Sequence, residues 1–177
     1  NMRGQVKSSF PNVYKEAIVE NTFRNLRIAE LAKTMRDNGR VVLVLCKHIP
    51  HGKLLAELIP DSVFLHGKHS AKDRKVHLDK MRRREAMITI SSVIFDEGID
   101  VRPLDGLILA GSGKSATRAL QRVGRTLRPY PSIKNNTKKN ALVVDFEDHC
   151  KYMLAHSKKR LKMYQTEPEF EIKYLKE

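Results

Sequence analysis

The sequence predicts an α/β fold, a parallel sheet with helices on both faces. Three observations carry that expectation. Short β-branched runs recur along the chain, and single stretches of helical period separate most of them. The run Val41-Val42-Leu43-Val44-Leu45-Cys46 is also apolar at every position, as a strand buried on both faces must be. In chain order, Glu20-Asn21-Thr22 caps a helix whose apolar stripe is Ile28, Leu31, Ala32 and Met35, ending at a left-handed stop at Asn38-Gly39. The Arg40 to Cys46 strand follows, then a helix from Gly52 to Ile59 closed by Pro60, and a strand from Ser62 to Leu65. Ser70 and Asp73 have the spacing of a capping box opening a helix from Ala71 to Arg84. Strands are expected at Met87–Ser91, Leu107–Ala110 and Ala141–Phe146, with a helix from Thr117 to Val123 between the last two. His149 to Tyr164 reads as a closing helix, Pro129 to Lys139 as a surface loop, and Glu169 to Leu175 as an edge strand or linker.

Length and composition bound the function. The chain has 177 residues, 41% of them hydrophobic, which fits one domain with a real core and excludes a disordered chain. Its longest apolar run, Val41 to Cys46, is far below the roughly 20 residues that cross a bilayer, so no membrane partner is expected. No charged-then-apolar leader is read at the Asn-Met-Arg start. Cys46 and Cys150 lie far apart, without metal-ligand spacing, so neither a disulfide scaffold nor a metal site is expected. The expected setting is reducing, intracellular and cytoplasmic. The organisation read from the sequence is a linker or edge segment over 1–20, the α/β domain over 21–148, and a closing helix and tail over 149–177.

The net charge is +14, and it is unevenly spread. Gly106 to Val144 contains no Asp or Glu but holds Lys114, Arg118, Arg122, Arg125, Arg128, Lys134, Lys138 and Lys139. Lys72 to Arg84 sets seven cations against Asp73 and Asp79. Like charges this dense repel one another unless an anion lies close, so phosphate is the natural partner. A solvated basic face would give the same composition.

Ligands of parallel sheets bind beyond the carboxyl ends of the strands, which directs attention to Lys47-His48, His66-Gly67, Ser92 to Asp100, Gly111 to Ala116 and the Glu147 region. Gly111-Ser112-Gly113-Lys114-Ser115 has the Gly-Lys-Ser end of a phosphate-binding loop, but the glycine needed five positions before Gly113 is Ile108. Leu142-Val143-Val144-Asp145 ends like a magnesium-organising strand, yet without such a loop upstream Asp145 reads as an acid that caps or orients the following loop. Gln121-Arg122-Val123-Gly124-Arg125-Thr126-Leu127-Arg128 is of another quality. Arg122, Arg125 and Arg128 recur every three residues and point broadly one way on a helical turn, each with a planar fork that meets two phosphate oxygens.

Gln121 to Arg128 resembles motif VI of the superfamily 2 helicases, Gln-Arg-x-Gly-Arg-x-x-Arg. Ser91-Ser92-Val93-Ile94-Phe95-Asp96-Glu97-Gly98-Ile99-Asp100-Val101 resembles motif V, the Val42–His48 strand and loop stand in the place of motif IV, and Leu65-His66-Gly67 with Arg74 matches its follow-on element. The ordered set covers Val41 to Phe146 and looks most like the XPB-like DNA repair branch and related phage or restriction helicases. The resemblance implies a RecA-like fold forming the second of two motor domains of an ATP-dependent DNA helicase or translocase. It assigns Arg125 and Arg128 as arginine fingers on the γ-phosphate, and Gln121 as the residue positioning the attacking water or a finger. Gly98 would let the backbone approach the nucleotide, Asp100 would bind the ribose or couple the ATP site to the strand, and Arg122 would hold the loop, through an acid such as Asp96. Ser91 and Ser92 stand where the family often has a phosphate-contacting Thr, keeping the hydroxyl and losing a methyl. Lys47, His48, His66 and Gly67 are the adjacent nucleic-acid candidates, although His66 also reads as a strand-end residue satisfied by backbone. The implied cofactor is ATP with Mg2+, held mainly by an N-terminal RecA-like domain. The implied partners are that domain and nucleic acid, DNA rather than RNA, gripped by its backbone without reading sequence. Asp96-Glu97 sits inside motif V with no intact phosphate loop before it, so this chain by itself is expected to be inactive. A basic nucleic-acid-binding module, or a degenerate motor domain acting as a scaffold, is the competing class.

Overall fold

The computed structural model describes residues 9–92, 101, 103–111, 118, 121, 127 and 140–175. Among them five strands form one wholly parallel sheet: β1 (Val41–Leu45), β2 (Ser62–Leu65), β3 (Ile88–Ser91), β4 (Leu104–Leu109) and β5 (Leu142–Val144), in the order β2-β3-β1-β4-β5. The helices are α1 (Phe10–Tyr14), continued by a π-helical turn (Lys15–Val19), then α2 (Thr22–Asp37), α3 (Ile49–Leu58), α4 (Ala71–Arg82) and α5 (Met153–Gln165).

Local chemistry fixes the ends. The Asn21 side chain accepts from Arg24 N at 3.0 Å and so satisfies one of the unpaired amides that open α2. Gly39, at φ +79°, takes the left-handed stop after that helix. Ser70 and Asp73 make the reciprocal capping box at α4.

β1 sends its residues alternately to two cores. Val41, Leu43 and Leu45 pack with Leu104, Leu107, Leu109 and Met81, and Met163 and Tyr164 of α5 lie against them. Val42 and Val44 pack with Ile88, Ile90 and Ile108 under Ile28, Ala32 and Met35 of α2 and Leu55 of α3. Helices therefore cover both faces: α2 and α3 on one, α4 and α5 on the other. A third cluster joins Tyr14, Ile18 and Val19 to Met153, with Phe10 and Cys150 beside it.

Several boundaries differ from the expectation. Phe10–Val19, expected as linker or edge segment, is helical and contributes buried side chains to that third cluster. α3 begins at Ile49 rather than Gly52, with Pro50 in its first turn, where a missing N–H does no harm. β4 begins at Leu104, three residues earlier than expected, because the Asp105 carboxylate accepts the Val41 amide at 2.9 Å and carries the pairing through an acidic residue. α5 starts later than His149, at Met153. Glu169–Leu175 forms no strand despite its alternation. The expected Thr117–Val123 helix and the Pro129–Lys139 loop lie largely or wholly outside the described residues. Among the described residues no helix is long and apolar enough to cross a membrane.

Candidate functional site

The strands end level along one edge of the sheet. Leu65, Leu45 and Leu109 are in register with Ser91 or, through β1, with one another, so the residues after them lie in a row. The ladder runs one residue further: Ser92 N donates to Leu65 O at 3.1 Å, Cys46 N to Ser91 O at 3.0 Å and Gly111 N to Leu45 O at 2.9 Å. Because β2, β3 and β1 are neighbours, His66-Gly67, Ser92 and Lys47-His48 stand side by side over about 10 Å, two strand spacings. Gly111 is a close-approach glycine. A Cβ there would sit 3.2 Å from Lys47 N and 3.2 Å from the Tyr14 hydroxyl oxygen.

Of the paired serines, Ser91 is fully buried at 0% exposure, inside the sheet, and Ser92 is the one that reaches the surface. His66 is half-buried at a tight turn, with its N–H 3.1 Å from His69 Nδ1, its Nδ1 accepting from Lys68 N at 3.3 Å, and the two rings 4.2 Å apart. Desolvation, then the His69, Lys68 and Lys53 charges, lower its pKa. Gly67 has nothing within 4 Å of a built Cβ and no left-handed backbone, so the fold itself does not demand glycine there. His48 is exposed, stands edge-on to the Tyr14 ring at 5.1 Å, and has its pKa lowered by desolvation and then by Lys47. It is a neutral hydrogen-bonding group at pH 7 beside a lysine. Cys46 is buried strand packing, its thiol pushed up to about 12 by burial.

On the far side of the edge, buried charges lock β5 to its neighbours. Arg24 of α2 donates to Ala110 O at 2.9 Å, pairs with Asp148 at 3.2 Å and lies over the Phe146 ring at 4.2 Å. Asp145, at the end of β5, accepts Arg160 through both oxygens at 2.7 and 3.1 Å, and Tyr164 donates to it at 2.7 Å. Burial and then the Asp145 charge push the Tyr164 phenol up, so it stays protonated as the donor. The strand-end carboxylate is thus committed to α5, beyond the following loop that the sequence reading gives it to cap or orient. It is not presented to a metal, and among the described residues no three His, Cys, Asp or Glu cluster as metal ligands.

Gln121 is helical and exposed, its amide nitrogen 3.9 Å from Met163 Sδ of α5. Gly98, Asp100, Arg122, Arg125 and Arg128 lie outside the described residues. Sequence reasoning missed Arg24 and the ring group of Phe10, Tyr14 and Tyr152. No motif marks them, because contacts distant in sequence bring them to the edge.

A family model described as "Helicase conserved C-terminal domain" matches residues 24–130. The chain is 28% identical over 165 residues to the ATP-dependent DNA helicase uvsW of Enterobacteria phage T4, covering 81% of this chain and 32% of that protein. It is 31% identical over 117 residues to the putative DNA 3'-5' helicase Rad25 of Haloarcula marismortui, covering 65% of this chain and 18% of the relative. The chain thus spans about a third or less of these relatives. The crystal structure of T4 UvsW superposes with a TM-score of 0.65 at 24% identity, covering 90% of this chain and 35% of the other. The C-terminal domain of the DEAD-box protein Dbp5 gives 0.55 at 14% identity, covering 84% and 82%. These likenesses establish the RecA-like helicase C-terminal fold.

Proposed function

The chain belongs to the helicase conserved C-terminal domain family, and from that premise we propose that it is the second motor lobe of an ATP-dependent superfamily 2 DNA helicase or translocase of the XPB-like kind. The lobe comprises residues 21–148, with the helix and tail of 149–177 attached through the bonds of Arg160 and Tyr164 to Asp145. It works intracellularly, in the cytoplasm, with an N-terminal RecA-like domain as its partner.

One observation carries the nucleic-acid half of the reading: the adjacency of β2, β3 and β1 lines up His66-Gly67, Ser92 and Lys47-His48 on one edge of a chain of net charge +14. Lys47 supplies charge to a backbone phosphate, while Ser92, His48 and His66 supply neutral hydrogen bonds. Such contacts hold a strand without reading its bases. Ser91 belongs to the same motif, but its buried position leaves the surface contact to Ser92.

In the nucleotide half, Arg125 and Arg128 reach the γ-phosphate of an ATP held by the other lobe, Gln121 positions the attacking water or a finger, and Gly98, Asp100 and Arg122 line the near side of the nucleotide. Mg2+ would supply neutralising charge to the phosphates and would be held mainly by the other lobe, while Asp145 of this lobe is engaged by Arg160 and Tyr164. Arginine fingers are worth on the order of 10³–10⁵ in rate. This chain alone supplies half of the site and is expected to turn over no ATP.

The test joins the chain to a cognate first lobe and measures DNA-stimulated ATP hydrolysis. Arg125→Ala and Arg128→Ala should each lower turnover by about 10³ or more while DNA affinity stays close to wild type. Normal hydrolysis by both variants would refute the finger assignment. Weakened DNA binding with a shallower salt dependence would instead favour a basic binding module.

A further inference from the structure

We propose that Tyr152, backed by Phe10, with Lys151 at its ring and Lys47 at the rings behind it, is a stacking platform for an unpaired nucleobase, placed at the end of the phosphate-contacting row. The proposal rests on the reading of that row as a nucleic-acid edge and adds to it a contact with a base.

The place comes from topology. The chain leaves β1 through α3 on one face of the sheet, whereas Leu127, which follows β4, packs in the core of the opposite face. The connections that leave the carboxyl ends of β1 and β4 therefore go to opposite faces, and such a switch in direction is where open α/β sheets accept ligands. Gly111, Lys47 and Tyr14 meet there.

A continuous path of rings leads outward from this point. His48 stands edge-on to Tyr14 at 5.1 Å, Tyr14 lies 6.0 Å from Phe10, and Phe10 meets Tyr152 edge-on at 5.9 Å. Tyr14 anchors the path at 2% exposure, and Tyr152 ends it at 42%. Cations accompany the rings throughout. Lys47 Nζ is 5.4 Å from the Tyr14 ring centre and 5.8 Å from that of Phe10, and Lys151 Nζ is 5.1 Å from that of Tyr152.

The backbone adds a separate observation. Tyr152 is at φ +70° and ψ −34°, in the left-handed region that a bulky side chain rarely occupies. Glycine or asparagine would sit there with less strain, so local conformation does not account for the tyrosine. An exposed ring held in a strained conformation, with the Lys151 ammonium at the ring and that of Lys47 at the Phe10 and Tyr14 rings behind it, matches a nucleotide: a π-face for the base and cations for the phosphates beside it. A purely apolar partner segment would leave Lys47 and Lys151 without counterparts, which favours the nucleic acid.

The experiment measures binding of the 177-residue chain to fluorescent oligothymidylate and to an abasic backbone of equal length. Stacking on one ring is worth about 1–3 kcal/mol per base, so the wild-type chain should prefer the base-bearing strand by about 5- to 150-fold. Tyr152→Ala should bring that ratio close to one, and Tyr152→Phe should keep it. Tyr152→Gly, which relieves the left-handed strain, should lose the preference while remaining folded, and so separates a lost ring from a lost fold. Equal affinity of the wild-type chain for the two strands, or a preference that survives Tyr152→Ala and Tyr152→Gly, overturns the platform and leaves the backbone reading standing. Binding of neither strand overturns both.

Discussion

His51 occupies a site where an imidazole must stay neutral. It is completely buried, and its Nε2 lies 2.9 Å from Asn25 Oδ1. The Asn25 amide nitrogen donates to Val19 O at 2.8 Å, which leaves Oδ1 as the acceptor and fixes the proton on Nε2. Nδ1 has no hydrogen-bond partner among the described residues. Burial first, then the Arg24 and His48 charges, lower the pKa from 6.5 to about 4. Above pH 6.5 the folded and unfolded chains both carry a neutral imidazole, and stability does not depend on this group. As pH falls from there toward 4, the unfolded chain takes up a proton that the folded chain refuses, so stability declines across that window by up to about 3 kcal/mol. Buried His77, on Thr89 at 2.8 Å, is shifted the same way and adds to the slope. Urea unfolding of the chain and of His51→Gln should show the two stability profiles converging as pH drops, because the variant lacks the proton-linked loss. Parallel profiles would mean that His51 is already charged or solvated in the folded chain.

Among the elements, α5 depends most on a few polar groups. Arg160 is 1% exposed and is held by Asp145, the Phe146 carbonyl at 3.2 Å and Ser157 at 3.3 Å. Removing one member of a buried pair leaves the other charged and unmatched, which costs about 3–5 kcal/mol, whereas replacing both is far cheaper. Arg160→Met should therefore destabilise the chain by about that amount in urea titrations, and adding Asp145→Leu should recover a large part of it. A loss under about 1 kcal/mol for the single change would show that the pair does not hold α5 to β5. None of this clamp is legible in the sequence, where Asp145 reads as an acid that caps or orients the following loop, because its partners on α5 are 15 and 19 residues away and no period links them. What was legible is what local rules govern. The all-apolar β1, the Asn21 cap with its Gly39 stop and the Ser70–Asp73 box each follow from a few adjacent residues. The early start of β4 is hidden in the sequence because its second residue, Asp105, looks unfit for a buried strand without its bond to the Val41 amide. The sequence suggests a helix start at Gly52, whereas the residue lies inside α3 at a point where a Cβ would come within 2.2 Å of the Phe64 ring. In the candidate site the loops follow from the carboxyl ends of the expected strands, but Ser91 and Ser92 can be told apart only by burial, and the Phe10–Tyr14–Tyr152 path only by tertiary contact.

For the molecule as a whole, the question is whether the +14 charge acts as a diffuse cloud or through particular side chains. A diffuse field attracts a polyanion regardless of which lysine is removed. A built edge does not. α4 runs from its Ser70 cap, at the carboxyl edge beside the His66 turn, to a last turn carrying Lys80 and Arg82, which lies at the opposite edge of the sheet. Lys47 and Lys80 are both exposed, and removing either changes the net charge equally. Each phosphate neutralised on a single strand contributes about 0.7 to the slope of log affinity against log salt concentration. Lys47→Ala should therefore make that slope shallower by about 0.7, with Lys80→Ala leaving it at the wild-type value. His48→Gln should weaken binding without moving the slope at neutral pH, since desolvation and Lys47 keep that ring uncharged. The measurement is a titration of the chain into labelled single-stranded DNA over a tenfold range of salt. Equal slope changes for Lys47→Ala and Lys80→Ala would reduce the carboxyl edge to one patch of a uniformly basic surface and remove the geometric basis for seating a strand across β2, β3 and β1.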